Sequence, residues 1–226
     1  NISNAILEKQ DLLTSLVEEH DLPIPSFLTG AVYSQGLCLS SPDEAARQGA
    51  IERLIKYLDL GERFDAILVV GLLQGLTRDE PDTATALSRI VASMKEVTSE
   101  AEKRGVQLVM EPVNHLQVGF NNSVSEVRQL VRDVGSPALK PMVDTIHMNI
   151  EDPSITQPIF DCGDNLAHVH LCESNGGPFG SGHIDFGSVL DALNKIGYDG
   201  FASVKVYRKA SMAEAASSSI ELLRQL

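Results

Sequence analysis

The order of segments along this chain restricts its fold more than any single residue does: helical stretches alternate with short apolar runs from one end to the other. Leu22 to Leu28, Ala66 to Gly71, Gln107 to Glu111, Lys140 to Asp144, Leu166 to His170 and Phe201 to Lys205 read as strands. The run Ala66-Ile-Leu-Val-Val-Gly71 is apolar at every position, the pattern of a strand covered on both faces. Between the strands, apolar residues recur at helical spacing. Ile2, Ile6, Leu13, Leu16 and Val17 share one face of a stretch from Ile2 to Glu19. Ile51, Leu54, Ile55 and Leu58 form a second stripe, and Leu87, Ile90, Met94 and Val97 a third, on a helix from Thr83 to Lys103. Further helices are expected from Phe186 to Ile196 and from Ala213 to Leu226. Two starts carry capping signals. Ser41-Pro42-Asp43-Glu44 places a hydroxyl, a proline and an acid as a capping box would, and Ser123 with Glu126 repeats the pattern.

Strands separated by helices are joined by crossovers, and crossovers make a parallel sheet. An open doubly wound sheet gathers its ligand-binding groups at one switch point, whereas a closed barrel uses the C-terminal ends of many strands. Here polar residues end four successive strands, which predicts a parallel (β/α)8 TIM barrel as a single domain over residues 1–226. The six strands fall two short of a closed barrel, so the first two are expected to lie outside this sequence, leaving the domain N-terminally incomplete.

Composition narrows the partners. The formal net charge of −13 repels polyphosphate, and no basic stripe offsets it, so nucleic acid is not an expected partner. No apolar run approaches the roughly 20 residues that cross a bilayer, and nothing resembles an export leader. Cys38, Cys162 and Cys172 are odd in number and lack CxxC spacing, which reads as reduced thiols in a cytoplasmic protein.

The chemistry sits at the strand ends. Glu111, Asp144 and His170 each follow an apolar strand immediately before a loop. Taken singly, a strand-end acid reads as a solvated or helix-capping group. Three on consecutive strands converge on one rim, and two carboxylates with one imidazole suit a divalent ion such as Mn2+, Co2+ or Mg2+. His168 points to the same side of its strand as His170 but one layer deeper, as a hydrogen-bonded core histidine would. His147 falls in the loop after Asp144, within reach of a substrate oxygen. His183 reads as a positioning residue or part of a turn. The glycines at 176, 177, 180 and 182 hint at phosphate binding, although tight turns explain them as well.

At these residues the chain resembles the xylose isomerase-like sugar isomerases and epimerases, above all the ketose 3-epimerases. Glu111-Pro-Val-Asn114 is similar to their E-P-x-N strand end, and Asp144-Thr-Ile-His-Met-Asn-Ile-Glu151 to their D-T-x-H-M-N-I-E segment. His168-Val-His170, Glu173-Ser-Asn175 and Gly180-Ser-Gly-His-Ile-Asp-Phe186 follow the order of further family motifs. The resemblance implies a divalent metal, Mn2+ first, held by Glu111, Asp144 and His170. It implies Glu111 as the base at C3 and His147, Asn114, Glu173 and His183 as substrate-binding positions. It also implies a small sugar as partner, and leaves a homo-oligomer as a further assembly. One departure matters: the family's S-[VM]-E at the last strand reads Ser203-Val204-Lys205, so an ammonium replaces the acid expected as fourth ligand and second catalytic group. Gly176 replaces the family arginine, and Gln117 replaces an acid. Two readings follow. The first is a metal-dependent ketose 3-epimerase with catalytic Glu111 and an altered Lys205, and the second is a non-catalytic relative that binds a sugar or a partner protein. A metal-dependent apurinic endonuclease on the same barrel is disfavoured by the acidic charge and by only six histidines.

Overall fold

The structure, a computed structural model, describes residues 4–209 and 211–226. Its sheet contains β1 (Ser26–Leu28), β2 (Ile67–Val70), β3 (Leu108–Met110), β4 (Leu139–Asp144), β5 (His168–Leu171) and β6 (Ala202–Val204). They lie side by side in chain order, every neighbouring pair parallel. The connecting helices are α3 (Glu44–Phe64), α4 (Thr83–Arg104), α5 (Val124–Val134), α6 (Thr145–Glu151), α7 (Gln157–Cys162) and α8 (Phe186–Lys195). The chain opens with α1 (Asn4–Glu8) and α2 (Gln10–His20) and closes with α9 (Met212–Leu223). This is a curled α/β sheet of the barrel kind, six strands wide.

The two faces of each strand have different fates. Phe27, Leu68, Val70, Leu108, Met110 and Leu139 join the helix-covered core with the buried stripes of α3 and α4. Val143, Val169 and Leu171 continue that layer under α7 and α8. On the opposite, concave face, Val69, Val109 and Met142 form a small apolar plug against Leu28, Ile67 and Ala167. Being covered on both faces is why β2 and β3 read as unbroken apolar runs.

β1 and β6 each pair on one side only among the described residues. Their free sides open on a groove of about 470 Å3 lined by Leu28, Ser203 and Val206 together with Met212 and Ala215 of α9. One buried side chain links the two edge strands. The fully buried His168 of β5 has Nε2 3.1 Å from the Ser26 hydroxyl of β1 and 3.2 Å from the Ser203 hydroxyl of β6. Burial, then the neighbouring His170, push its pKa down to about 4, so it is the neutral core histidine its depth suggested.

Three local expectations change. The stretch from Ile2 to Glu19 divides at Lys9 into two helices, and Ile2 lies outside the described residues. The cap of α3 is Asp43, whose carboxylate accepts from the Ala45 amide, while the Ser41 hydroxyl accepts from the Asp43 amide, outside the helix. The proline stands before the helix instead of in its first turn. His147 is in α6 and not in a loop, because Asp144 caps a helix immediately after the strand. By contrast, Ser123 and Glu126 form the reciprocal capping box foreseen for α5.

His168→Ala removes both hydrogen bonds to the edge strands and leaves a cavity, and should cost about 2–4 kcal/mol in urea unfolding. Ser26→Ala, which leaves the Ser203 contact, should cost about 1 kcal/mol. No loss in Ser26→Ala would show that the bridge between β1 and β6 contributes nothing.

Candidate metal and substrate site

The concave ends of β3 to β6 carry the polar residues. Glu111, immediately after β3, is anchored by its amide donating to the Val70 carbonyl at 2.9 Å. Its carboxylate lies against Gly71, where any Cβ would collide with Oε2; a glycine at the end of β2 is therefore a condition for this acid's position. Asp144 ends β4 and divides its two oxygens. Oδ1 accepts from the Ile146 amide at 3.0 Å and caps α6, while Oδ2 faces the other strand ends. One oxygen of this acid therefore caps a helix, and the other belongs to the strand-end cluster.

His170 Nδ1 lies 3.0 Å from Glu111 Oε1 and 3.4 Å from Asp144 Oδ2. Lys205, just past β6, donates from Nζ to the same two oxygens, at 3.0 Å to Glu111 and 2.8 Å to Asp144. Both carboxylates and the imidazole are at least 95% buried, with exposures of 5%, 0% and 2%. Burial alone would push both carboxyl groups up. The Lys205 charge, assisted by His170, outweighs it, holding Glu111 at about 2 and Asp144 well below the usual range. For His170, burial works downward but the two carboxylates win and raise it to about 9. Lys205 follows the same logic: burial opposes its charge, the two carboxylates restore it, and its pKa lies above the ordinary lysine value.

His147 stands 3.8 Å by Nε2 from Asp144 Oδ2. Glu111, Asp144 and His147 offer donor atoms within 4.8 Å of one another and so form a candidate metal-holding group. His170 is closer still to both acids. The hydrogen-bond network separates the two imidazoles. The Leu116 amide donates to Asn114 Oδ1 at 3.2 Å, which turns Asn114 Nδ2 towards His147 Nδ1 at 2.8 Å. With Nδ1 accepting, the neutral ring carries its proton on Nε2. That nitrogen is a donor to an oxygen and lacks the lone pair a metal needs. His147 is thus a neutral donor suited to an oxygen, whereas His170, charged as it stands between the two acids, would have to give up its proton to serve as a ligand.

Donor types and spacing suit a divalent ion, but the fourth group does not. An ammonium bonded to both carboxylates stands where an ion would bond to them. A dication ~4 Å from that charge is repelled by about 8 kcal/mol at an effective dielectric of about 20. With Lys205 in this position the set does not fit a divalent metal.

A cavity of about 100 Å3 lies against this cluster, lined by Glu111, His147, Lys205, Gln117 and Tyr207 with Leu28, Val69 and Val113. Glu173 and His183 do not line this cavity. The buried Glu173 carboxylate accepts from the amides of Ser174, Gly180 and Ile184. Gly180 thus gives its amide to an internal anion, and Gly177 gives its own to Asn175 Oδ1, so neither is free for a phosphate. His183, exposed, lies within hydrogen-bond distance of Ser174 and Asn149. Tyr207, which lines the cavity beside Lys205, was not singled out in the sequence. Only its place two residues past Lys205 marks it.

A parallel α/β half-barrel with acids and imidazoles gathered at its strand ends defines the TIM-barrel class. The sequence profile described as xylose isomerase-like TIM barrel matches residues 2–226, and the chain belongs to that family. It is 28% identical over 214 residues to a ketose 3-epimerase of Arthrobacter globiformis, covering 94% of this chain and 73% of the relative. It is 30% identical over 191 residues to an L-ribulose 3-epimerase of Mesorhizobium japonicum, covering 83% and 64%. The fold is shared with apo 3-keto-D-glucoside 4-epimerase of E. coli, with a TM-score of 0.87 at 20% identity over 98% of this chain and 86% of that one. No helix among the described residues is long and apolar enough to cross a membrane.

The Asn114 contact predicts a tautomer. In nitrogen-detected NMR the His147 ring should carry its proton on Nε2, and Asn114→Asp, which offers Nδ1 an acceptor, should move a proton to Nδ1. An unchanged ring in that variant would show that Asn114 does not set the orientation.

Proposed function

We propose that this chain is a sugar isomerase/epimerase of the metal-dependent kind, built for C3 epimerisation of a ketose or keto-sugar acid, with turnover held down by Lys205. The observation that carries this reading is the convergence of Glu111, Asp144, His170 and His147 at one cavity. The names of the relatives, ketose 3-epimerase among them, support the reaction class. Three buried, unpaired cysteines suit a cytoplasmic setting.

Glu111 is the base. Its carboxylate borders the cavity, and removal of the C3 proton leaves an enediolate whose charge spreads to the C2 oxygen. The His147 Nε2–H is a neutral donor for that oxygen, held by Asn114, and such a preset donor stabilises developing charge without rearrangement. Inversion needs a second acid–base group on the other face to return the proton. Lys205 stands just past β6, where the resemblance calls for a carboxylate, and the two acids raise its pKa above the ordinary lysine value, which suits it poorly to proton transfer near neutral pH. It also depresses Glu111 to about 2, far from the near-neutral value at which a general base works best. Mn2+ is the cation we assign to Glu111, Asp144 and His170, with Co2+ or Mg2+ as alternatives, once Lys205 is replaced or withdrawn. Glu173 and His183 support the loop beside the site.

The two bonds from Lys205 favour a second reading, a non-catalytic relative that binds a sugar or a partner protein. Lys205→Glu separates the two. With Mn2+ and a panel of free ketoses and keto acids, the variant should form epimers about 10²–10⁴-fold faster than the parent chain. Equal rates in the two proteins would remove position 205 from the reaction, and sugar binding without turnover in both would favour the binding protein.

A further inference from the structure

We propose that Lys205 is a tethered cation that replaces the metal permanently, so that the cluster assembles without an ion and conceals a latent metal site. The inference rests on reading Glu111, Asp144 and His170 as an ion's donor set, and goes beyond it in assigning Lys205 a structural role.

The stem and the head of Lys205 are both held. Its amide donates to the Leu171 carbonyl at 2.8 Å, extending the β5–β6 ladder by one bond, and its ammonium binds Glu111 and Asp144. The Tyr207 ring stands over the ammonium with its centroid 5.4 Å from Nζ, within the range of a cation–π contact. Tyr207 is held in turn by Gly176, whose carbonyl accepts from the amides of Tyr207 and Arg208, both at 3.0 Å. Gly176 has a φ of +66°, and a Cβ there would lie 2.8 Å from Tyr207 Cδ2. An arginine at 176 would meet both obstacles. The two departures from the motif, at 176 and 205, are therefore parts of one contact cluster: the glycine admits the tyrosine, and the tyrosine covers the lysine.

Charge supplies the reason. Two buried carboxylates facing one point need a cation between them, and either a bound ion or a fixed ammonium meets that need. A tethered ammonium meets it without loss of translational freedom and at any metal concentration.

The test uses melting temperature and calorimetric Mn2+ titration on the whole chain. For the unaltered protein, EDTA and millimolar Mn2+ should leave the melting temperature unchanged, with no Mn2+ binding detected. Lys205→Met should melt at least ~5 °C lower in EDTA, recover most of that loss in Mn2+, and bind the ion stoichiometrically. Lys205→Gln serves the same purpose if the methionine variant does not fold. Mn2+ stabilisation of the unaltered protein, or absence of Mn2+ binding in both variants, would overturn the inference. Neither measurement involves turnover, so a failure of the epimerase reading leaves this result intact, and the converse holds.

Discussion

Two carboxylates buried side by side cannot both stay ionised without positive charge between them, and the site is organised around that requirement. Glu111 and Asp144 come from different strands, are almost wholly removed from water, and point at one place. Lys205 and His170 supply the balancing charge from the next two strands of the sheet. The balance has chemical consequences. It keeps both acids ionised, fixes the side chains in a single arrangement, and makes Glu111 a weak base as the chain stands. A metal in the same place would do the first two as well, but it would also polarise a substrate carbonyl, which an ammonium does only feebly.

The fold delivers these groups by simple means. A parallel sheet in chain order aligns the C-terminal ends of its strands, so that a residue just past each strand reaches the same rim. Side chains two residues apart share the concave face, which puts the neutral His168 one layer beneath the charged His170. The deeper layer is structural, tying β1 to β6 through two serines, while the upper layer faces the cavity. The helices contribute as well. Asp144 caps α6 with one oxygen, and α6 carries His147 back over the cavity, where Asn114 turns it.

Much of this was legible in the sequence. The six strands emerged from apolar runs bounded by turn residues, and the strand-end acids stood out because three consecutive strands repeated the arrangement. The helix starting at Ser123 was legible because a capping box is local, needing only four residues to recognise itself. Less local features were misplaced. At Ser41 to Glu44 several residues are able to cap, and only the packed helix selects Asp43. The seven-residue α6 is too short for helical periodicity to announce itself, so His147 read as a loop residue.

What the sequence by itself determined is the order of strands and helices, the sheet they must form, and the list of acids and imidazoles at its rim. These follow from patterns that span a few residues each. Tertiary structure alone decided what each group does with its hydrogen bonds. It turned the Glu173 carboxylate into the anchor of the glycine loop, gave Asn114 control of an imidazole, and set the Lys205 ammonium between acids 94 and 61 residues away. The reason is that charge and hydrogen bonding act over a few ångströms of space, and only the folded chain determines which distant residues come that close.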